Sequence, residues 1–172
     1  KSLPKQYLTL GSKEKSSFLQ ITVNRIKNLT NTDDPIFICN EEHRFITAEQ
    51  IREINVIPKA ILIEPCSKNT APAIATAALH TFSESEDPIL LILPSDHLIK
   101  NNRNFLESIE NGRLSALKGF IVTFGIKPNN PATGYGYIKS EEYNNGKTPK
   151  PYQIKEFIEK PKKELAKKFI QD

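Results

Sequence analysis

The sequence predicts a three-layer α/β domain built on a mainly parallel sheet. Three observations lead there. Short apolar runs recur at 36–39, 61–64, 89–93 and 121–124; a stretch with helical apolar spacing separates each run from the next; and capping or turn residues stand at the junctions. Buried strands read as short continuous apolar runs. Strands that alternate with helices at this interval form parallel sheets covered on both faces.

The elements follow in order. Ser16 or Ser17 is placed to cap a first helix whose apolar residues Phe18, Leu19, Val23, Ile26 and Leu29 fall within about a third of its circumference. The polar break at 30–34 ends it. Pro35, Ile36, Phe37, Ile38, Cys39 and Asn40 make a buried-strand pattern, and Phe45, Ala48, Ile51 and Ile54 then recur at helical spacing. A second strand is predicted over 60–64 and a second long helix over 71–82, opened by Asn69 or Thr70 with Pro72 in its first turn. The run 89–93 leads into Asp96 and a helix around Phe105, Ile109 and Leu117, and 120–124 reads as a further strand. Beyond it the chain changes character: 128–136 is loop, Tyr137 and Ile138 begin a strand, 143–150 is polar with a glycine turn, 153–158 is strand-like, and 162–170 is a last helix.

The bulk numbers narrow the function classes. With 172 residues, 38% hydrophobic and 26% charged, the chain suits one compact domain, 1–172, with a core of its own. The run 89–93 is far below the roughly 20 residues that a membrane helix needs, and no signal-peptide pattern opens the chain, so no membrane partner and a cytoplasmic address are expected. Two cysteines, Cys39 and Cys66, are too few for a disulfide framework or a four-ligand zinc site. The net charge of +4 would suit nucleic acid, but the lysines are interleaved with acids. The densest basic stretch, 155–168, holds Glu156, Glu159 and Glu164, as a solvated helix face would. Without a basic stripe or a stacking motif, no nucleic-acid partner is expected. The chain contains no methionine, so residue 1 is not an initiator as written.

Candidate chemistry gathers at strand ends and loops. Asp96 follows the run 89–93 and Pro94-Ser95, at the carboxyl end of a predicted strand, where open α/β sheets bind their ligands. One carboxylate on a rigid strand end suits Mg²⁺, which takes one or two carboxylates plus substrate phosphate oxygens; an Asp also caps helices and opens turns. Glu64 ends the second strand, and its carboxylate can accept from two adjacent donors of a ligand. The alternative is a strand-end acid paired with Lys68. Thr133-Gly134-Tyr135-Gly136 sets two glycines beside hydroxyls, which lets backbone approach a sugar closely; the alternative is a plain glycine hairpin.

Five clusters in this order, Pro4-Lys5-Gln6-Tyr7, the block 64–73, Pro94-Ser95-Asp96-His97, the block 131–138, and Phe157-Ile158-Glu159-Lys160-Pro161, closely resemble the mannose-1-phosphate guanylyltransferases within the sugar nucleotidyltransferases. The resemblance implies a Rossmann-like nucleotidyltransferase domain that transfers GMP from GTP to mannose 1-phosphate, with Mg²⁺ as cofactor and GTP and mannose 1-phosphate as partners. It implies catalytic roles for Lys5, Asp96 and Lys160, with Asp96 the metal ligand. Nucleotide binding falls to Glu64, Asn69, Thr70, Ala71, Pro94 and Ser95, and sugar binding to Thr133, Gly134, Tyr135, Gly136 and Glu159. His97 needs no general-base role, because a phosphate-oxygen nucleophile is already ionised, and His43 and His80 read as ordinary surface or helix-end residues. Another sugar 1-phosphate or base, and a non-catalytic sugar-nucleotide-binding remnant, stand as alternatives; a homo-oligomer is open. The family's first strand with its G-x-G-x-R-L-W-P-L-S loop, and a later turn with a second metal-binding Asp, have no counterpart here. The domain is therefore expected to be incomplete at both ends and inactive alone.

Overall fold

The computed structural model describes residues 3–9, 15–66, 68–82, 87–141 and 151–171. The polar stretch expected at 143–150, and Ser67, lie outside the described residues. The chain separates into two compact units, 1–106 and 107–172.

In the first unit Ser17 caps α1 (Phe18–Ile26) with a complete capping box: its Oγ accepts from the Gln20 N–H, and Gln20 Oε1 accepts from the Ser17 N–H. The same two residues fasten α1 to α2 (Arg44–Glu53). Ser17 Oγ donates to Gln50 Oε1 at 2.7 Å, and Gln20 Nε2 donates to the Gln50 carbonyl and to Glu53 Oε2. α1 stops at Ile26, short of Leu29, where asparagine and threonine side chains compete for the backbone; Thr32 Oγ1 donates back to the Leu29 carbonyl.

β1 (Ile36–Asn40) and β2 (Ala60–Glu64) pair in parallel, with Ile36 opposite Ala60 and Asn40 opposite Glu64. α2 packs on both strands. It ends in a Schellman motif: Asn55, at φ 54°, donates to the Arg52 carbonyl, and Val56 to that of Ile51. The core of this unit is Tyr7, Leu19, Val23, Phe37 and Ile51, with Ile46, Ile54, Val56 and Ile61 packed around it. Phe45 and Ala48 are not part of it. Phe45 is 74% exposed under the Arg44 guanidinium, because steps of three residues drift about 60° each around the helix and carry Phe45 away from the face that Thr47 and Ile51 bury. α3 (Thr70–Phe82) follows β2 and touches β1.

α4 (Asn102–Ala116) opens with Asn101 Oδ1 accepting from the Asn104 N–H and closes on Gly119, at φ 85°, in a second Schellman motif. In the second unit Gly112 of α4 lies against Phe124, whose Cζ would stand 2.9 Å from an added Cβ. β3 (Tyr137–Ser140) and β4 (Ile154–Ile158) form an antiparallel pair, followed by α5 (Lys163–Gln171).

The α/β character and the parallel β1–β2 ladder match the sequence expectation, whereas the strands expected at 89–93 and 121–124 are not formed. Among the described residues both segments run without a ladder partner. Side chains there are also exposed, Ile121 at 96% and Ile89 at 44%, so an apolar run encodes neither the layer that would cover it nor the neighbour that its N–H and C=O groups need. Among the described residues no helix is long and apolar enough to cross a membrane.

Candidate functional site

Lys5 stands on a single 3₁₀ turn, Lys5–Tyr7, held by its last residue. Tyr7 is buried; its hydroxyl lies 2.9 Å from Thr47 Oγ1, its carbonyl accepts from Gln50 Nε2, and its ring packs 5.5 Å from that of His43. His43 therefore supports the anchor of this turn. Burial pushes the Tyr7 phenol up, with the neighbouring Cys39 adding to the rise and Thr47 opposing it.

With the turn fixed, the Lys5 ammonium passes over the Phe18 ring and donates to the Asp96 carbonyl at 3.0 Å, with Asp96 Oδ2 at 3.8 Å. His97 Nε2 lies 3.9 Å from Asp96 Oδ1. Both members of the Lys5–Asp96 pair are about half exposed, so the pair adds little stability and keeps its charges open to a ligand. Pro94 is exposed and Ser95 half-buried on the turn that carries Asp96. Among the described residues no three His, Cys, Asp or Glu side chains gather into a cation cage.

The carboxyl ends of β1 and β2 lie side by side and bring Asn40 opposite Glu64. Asn40 is occupied locally, its Oδ1 accepting from the Glu42 N–H. Glu64 is half-buried and raises the thiol of buried Cys39, a smaller effect than burial itself. Among the described residues the alternative ion pair between Glu64 and Lys68 is not formed. Asn69 takes a left-handed conformation at φ 65°, and exposed Thr70 and Ala71 begin α3, whose first N–H groups have no acceptor within the helix.

The second unit assembles the other cluster. Tyr137 and Ile158 face each other across β3 and β4, so the residues just outside them, Gly136 and Glu159, meet as well. A Cβ on Gly136 would lie 2.2 Å from Phe157 Cζ and 3.0 Å from Glu159 Oε2, so only glycine leaves this arrangement undisturbed. Lys160 Nζ stands 3.2 Å from Glu159 Oε1. Lys160 has φ 44° immediately before Pro161, an uncommon conformation for a side chain in that position. Thr133, Gly134 and Tyr135 form an exposed bend, steadied where the Tyr137 hydroxyl donates to the Ala132 carbonyl.

Two contributors escaped the sequence reading although both left a signal. Phe157 on β4 is two residues before Glu159, which stands just past the strand's end, and extended spacing puts both on one face. Arg25 stands seven residues from Phe18, a charge on the buried stripe of α1.

Residues 1–172 match the nucleotidyl transferase family. Relatives named mannose-1-phosphate guanylyltransferase from Klebsiella pneumoniae and Escherichia coli are each 44% identical over 167 residues, covering 97% of this chain and 35% of each relative. Xanthan biosynthesis protein XanB of Xanthomonas campestris is 44% identical over 169 residues, 98% of this chain and 34% of that protein. The chain thus spans 35% of the length of the first two relatives. A crystal structure described as mannose-6-phosphate isomerase from Helicobacter pylori superposes with a TM-score of 0.82 at 36% identity, covering 98% of this chain and 60% of the other. A second, described as mannose-1-phosphate geranyltransferase from Thermus thermophilus, gives 0.75 at 25% identity, with 91% and 44% covered. With Glu64 at the end of β2, an exposed Lys5–Asp96 pair and a match along its whole length, this chain belongs to the nucleotidyl transferase family.

Proposed function

We propose that this chain carries the recognition residues and the metal-binding Asp of a guanylyltransferase acting in the cytoplasm. The reaction moves GMP from GTP to mannose 1-phosphate and yields GDP-mannose and pyrophosphate. The observation that carries the reading is the Lys5–Asp96 pair, a half-exposed ammonium and carboxylate 3.8 Å apart, in a chain 44% identical to guanylyltransferases along nearly its whole length. Two free cysteines, one of them buried, suit a reducing compartment.

Mg²⁺ fits this donor set. One accessible carboxylate, outside any cluster of three His, Cys, Asp or Glu side chains among the described residues, suits a hard cation that completes its shell with water and substrate phosphates. Bound at Asp96, the ion would supply charge stabilisation at the triphosphate.

The chain's own residues do the rest by positioning and charge. A phosphate oxygen of mannose 1-phosphate attacks the α-phosphorus of GTP in line, the bond from that phosphorus to the bridging oxygen breaks, and pyrophosphate leaves with the electron pair. The nucleophile is already ionised, so His97 serves as a neighbour of Asp96 rather than as a base. Lys5 and Lys160 offset negative charge on the phosphates. Glu64 accepts from the two guanine donors, with Asn69, Thr70 and Ala71 at the helix start and Pro94 and Ser95 on the Asp96 turn framing the nucleotide. Thr133, Gly134, Tyr135 and Gly136 admit the sugar closely, and Glu159 accepts from its hydroxyls.

The test is pyrophosphate release from GTP and mannose 1-phosphate by this chain with a G-x-G-x-R-L-W-P segment fused ahead of residue 1. Release that requires mannose 1-phosphate and prefers GTP over UTP and dTTP supports the reading. Release independent of the sugar phosphate, or equal use of the nucleotides, defeats it. Mannose 6-phosphate isomerisation is assayed alongside, in view of the Helicobacter relative's description.

A further inference from the structure

We infer that Arg25 is a positioning residue for Asp96: together with Lys5 it holds the backbone carbonyls of Asp96 and His97, and so fixes where the Asp96 carboxylate stands. The inference rests on the reading of Asp96 as the cation ligand.

The segment that leads to Asp96 has no ladder partner among the described residues, so sheet hydrogen bonds do not hold it. Two cations do. Lys5 Nζ donates to the Asp96 carbonyl at 3.0 Å, and Arg25 Nη2 donates to the His97 carbonyl at 3.1 Å. Arg25 is only 7% exposed, and among the described residues it forms no salt bridge. Its guanidinium lies 5.6 Å from the Phe105 ring centroid, and its own carbonyl accepts from Asn102 Nδ2. The end of α1 therefore grips the stretch 97–105 at a carbonyl, an amide side chain and an aromatic ring.

A buried charge without a carboxylate is expensive, and an apolar residue of similar size would serve the core as well or better. What only a cation of this shape supplies is a charged donor to a carbonyl combined with a flat face against an aromatic ring. Burial also lowers the proton affinity of the guanidinium, which stays charged across the working pH range. Lys5 and Arg25 thus hold consecutive carbonyls of the loop and leave the Asp96 carboxylate half exposed.

Hydrogen exchange on the 172-residue chain decides the matter. R25Q is expected to speed exchange of the amides at 95–98 about tenfold while β1, β2 and α2 stay within about twofold. R25K, which keeps a donor to the carbonyl, is expected to restore most of the protection. If R25Q does not fold, N102A releases the other end of the grip and is expected to speed the same amides about threefold. Unchanged exchange at 95–98, or an equal rise throughout the first unit, overturns the inference, as does failure of R25K to recover protection. Mn²⁺ titration followed by electron paramagnetic resonance adds a readout that general stability does not move: R25Q should weaken Mn²⁺ about tenfold with the fold intact, and D96A should abolish it. Mn²⁺ binding that survives D96A removes the metal reading of Asp96, while the exchange result still decides whether Arg25 holds the loop.

Discussion

Tyr7→Phe separates the phenol's hydrogen bond from its packing and does so with a pH signature. The ring is 5% exposed within the cluster of Leu19, Val23, Phe37 and Ile51, and phenylalanine keeps that packing. What is lost is the hydrogen bond to Thr47 Oγ1, 2.9 Å away. The loss of one neutral hydrogen bond costs about 1 kcal/mol. In a chain of this size that is about 2–4 °C in Tm. The sign of the pH dependence follows from two raised acids. Burial lifts the Cys39 thiol above 9.0 and the Tyr7 phenol above 10.0. Above those values the unfolded chain releases protons that the folded chain retains, so stability falls as pH rises past about 9. The variant lacks the phenol and with it that part of the alkaline loss, including the share that the neighbouring Cys39 adds. The stability gap between wild type and Y7F should therefore be full at pH 7–9 and narrow above pH 10, by about 1.4 kcal/mol for each tenfold change in the phenol's proton affinity on folding. Urea denaturation followed by circular dichroism at pH 7, 9 and 11 measures it. A gap that is constant or widens at pH 11 would refute the reasoning.

Three further substitutions probe the site, the first two in the chain extended by the G-x-G-x-R-L-W-P segment. Glu64→Gln presents one carbonyl and turns a donor toward guanine, so GTP should lose one to two decades in kcat/KM, about 1–3 kcal/mol, while UTP and dTTP change little; competition among nucleotides tests this, and an unchanged GTP preference would restrict Glu64 to the fold. Asp96→Ala should lower kcat by at least about a hundredfold and leave sugar affinity nearly intact, since the charge it helps to stabilise develops in the transition state; near-normal turnover in a steady-state assay removes Asp96 from the mechanism. Gly136→Ala forces the Phe157 ring away from a Cβ that would otherwise stand 2.2 Å from it. Because that ring is 59% exposed it can swing aside, so stability should fall by only about 1 kcal/mol in a urea titration. Binding of mannose 1-phosphate by the 172-residue chain, followed by calorimetry, should weaken with it, and a loss above about 3 kcal/mol would show that the ring is locked.

Much of the fold was legible because its instructions are local. Ser17 and Gln20 stand three apart as a capping box requires, and the runs that became β1 and β2 end at Asn40 and Glu64 as read. Local rules failed where two solutions share one pattern. Phe45 fits a helical spacing that drifts off the buried face, and the runs 89–93 and 121–124 carry strand composition without a ladder partner among the described residues. The candidate site was legible as residue types and motifs, Lys5, Glu64, Asp96, Gly136 and Glu159, but not as contacts.

By itself, then, the sequence determined where helices start, that the runs at 36–40 and 60–64 form strands ending at Asn40 and Glu64, and the family to which the motifs point. Caps, turns and periodicities act over a few residues, within reach of one segment's own backbone. Only the tertiary structure decided that Lys5 meets Asp96 across 91 positions of chain, that Arg25 grips the His97 carbonyl across 72, and that Phe157 closes over Gly136. Such contacts form after the entropy of closing the intervening chain has been offset by packing elsewhere, and that balance belongs to the folded unit as a whole rather than to any stretch of residues within it.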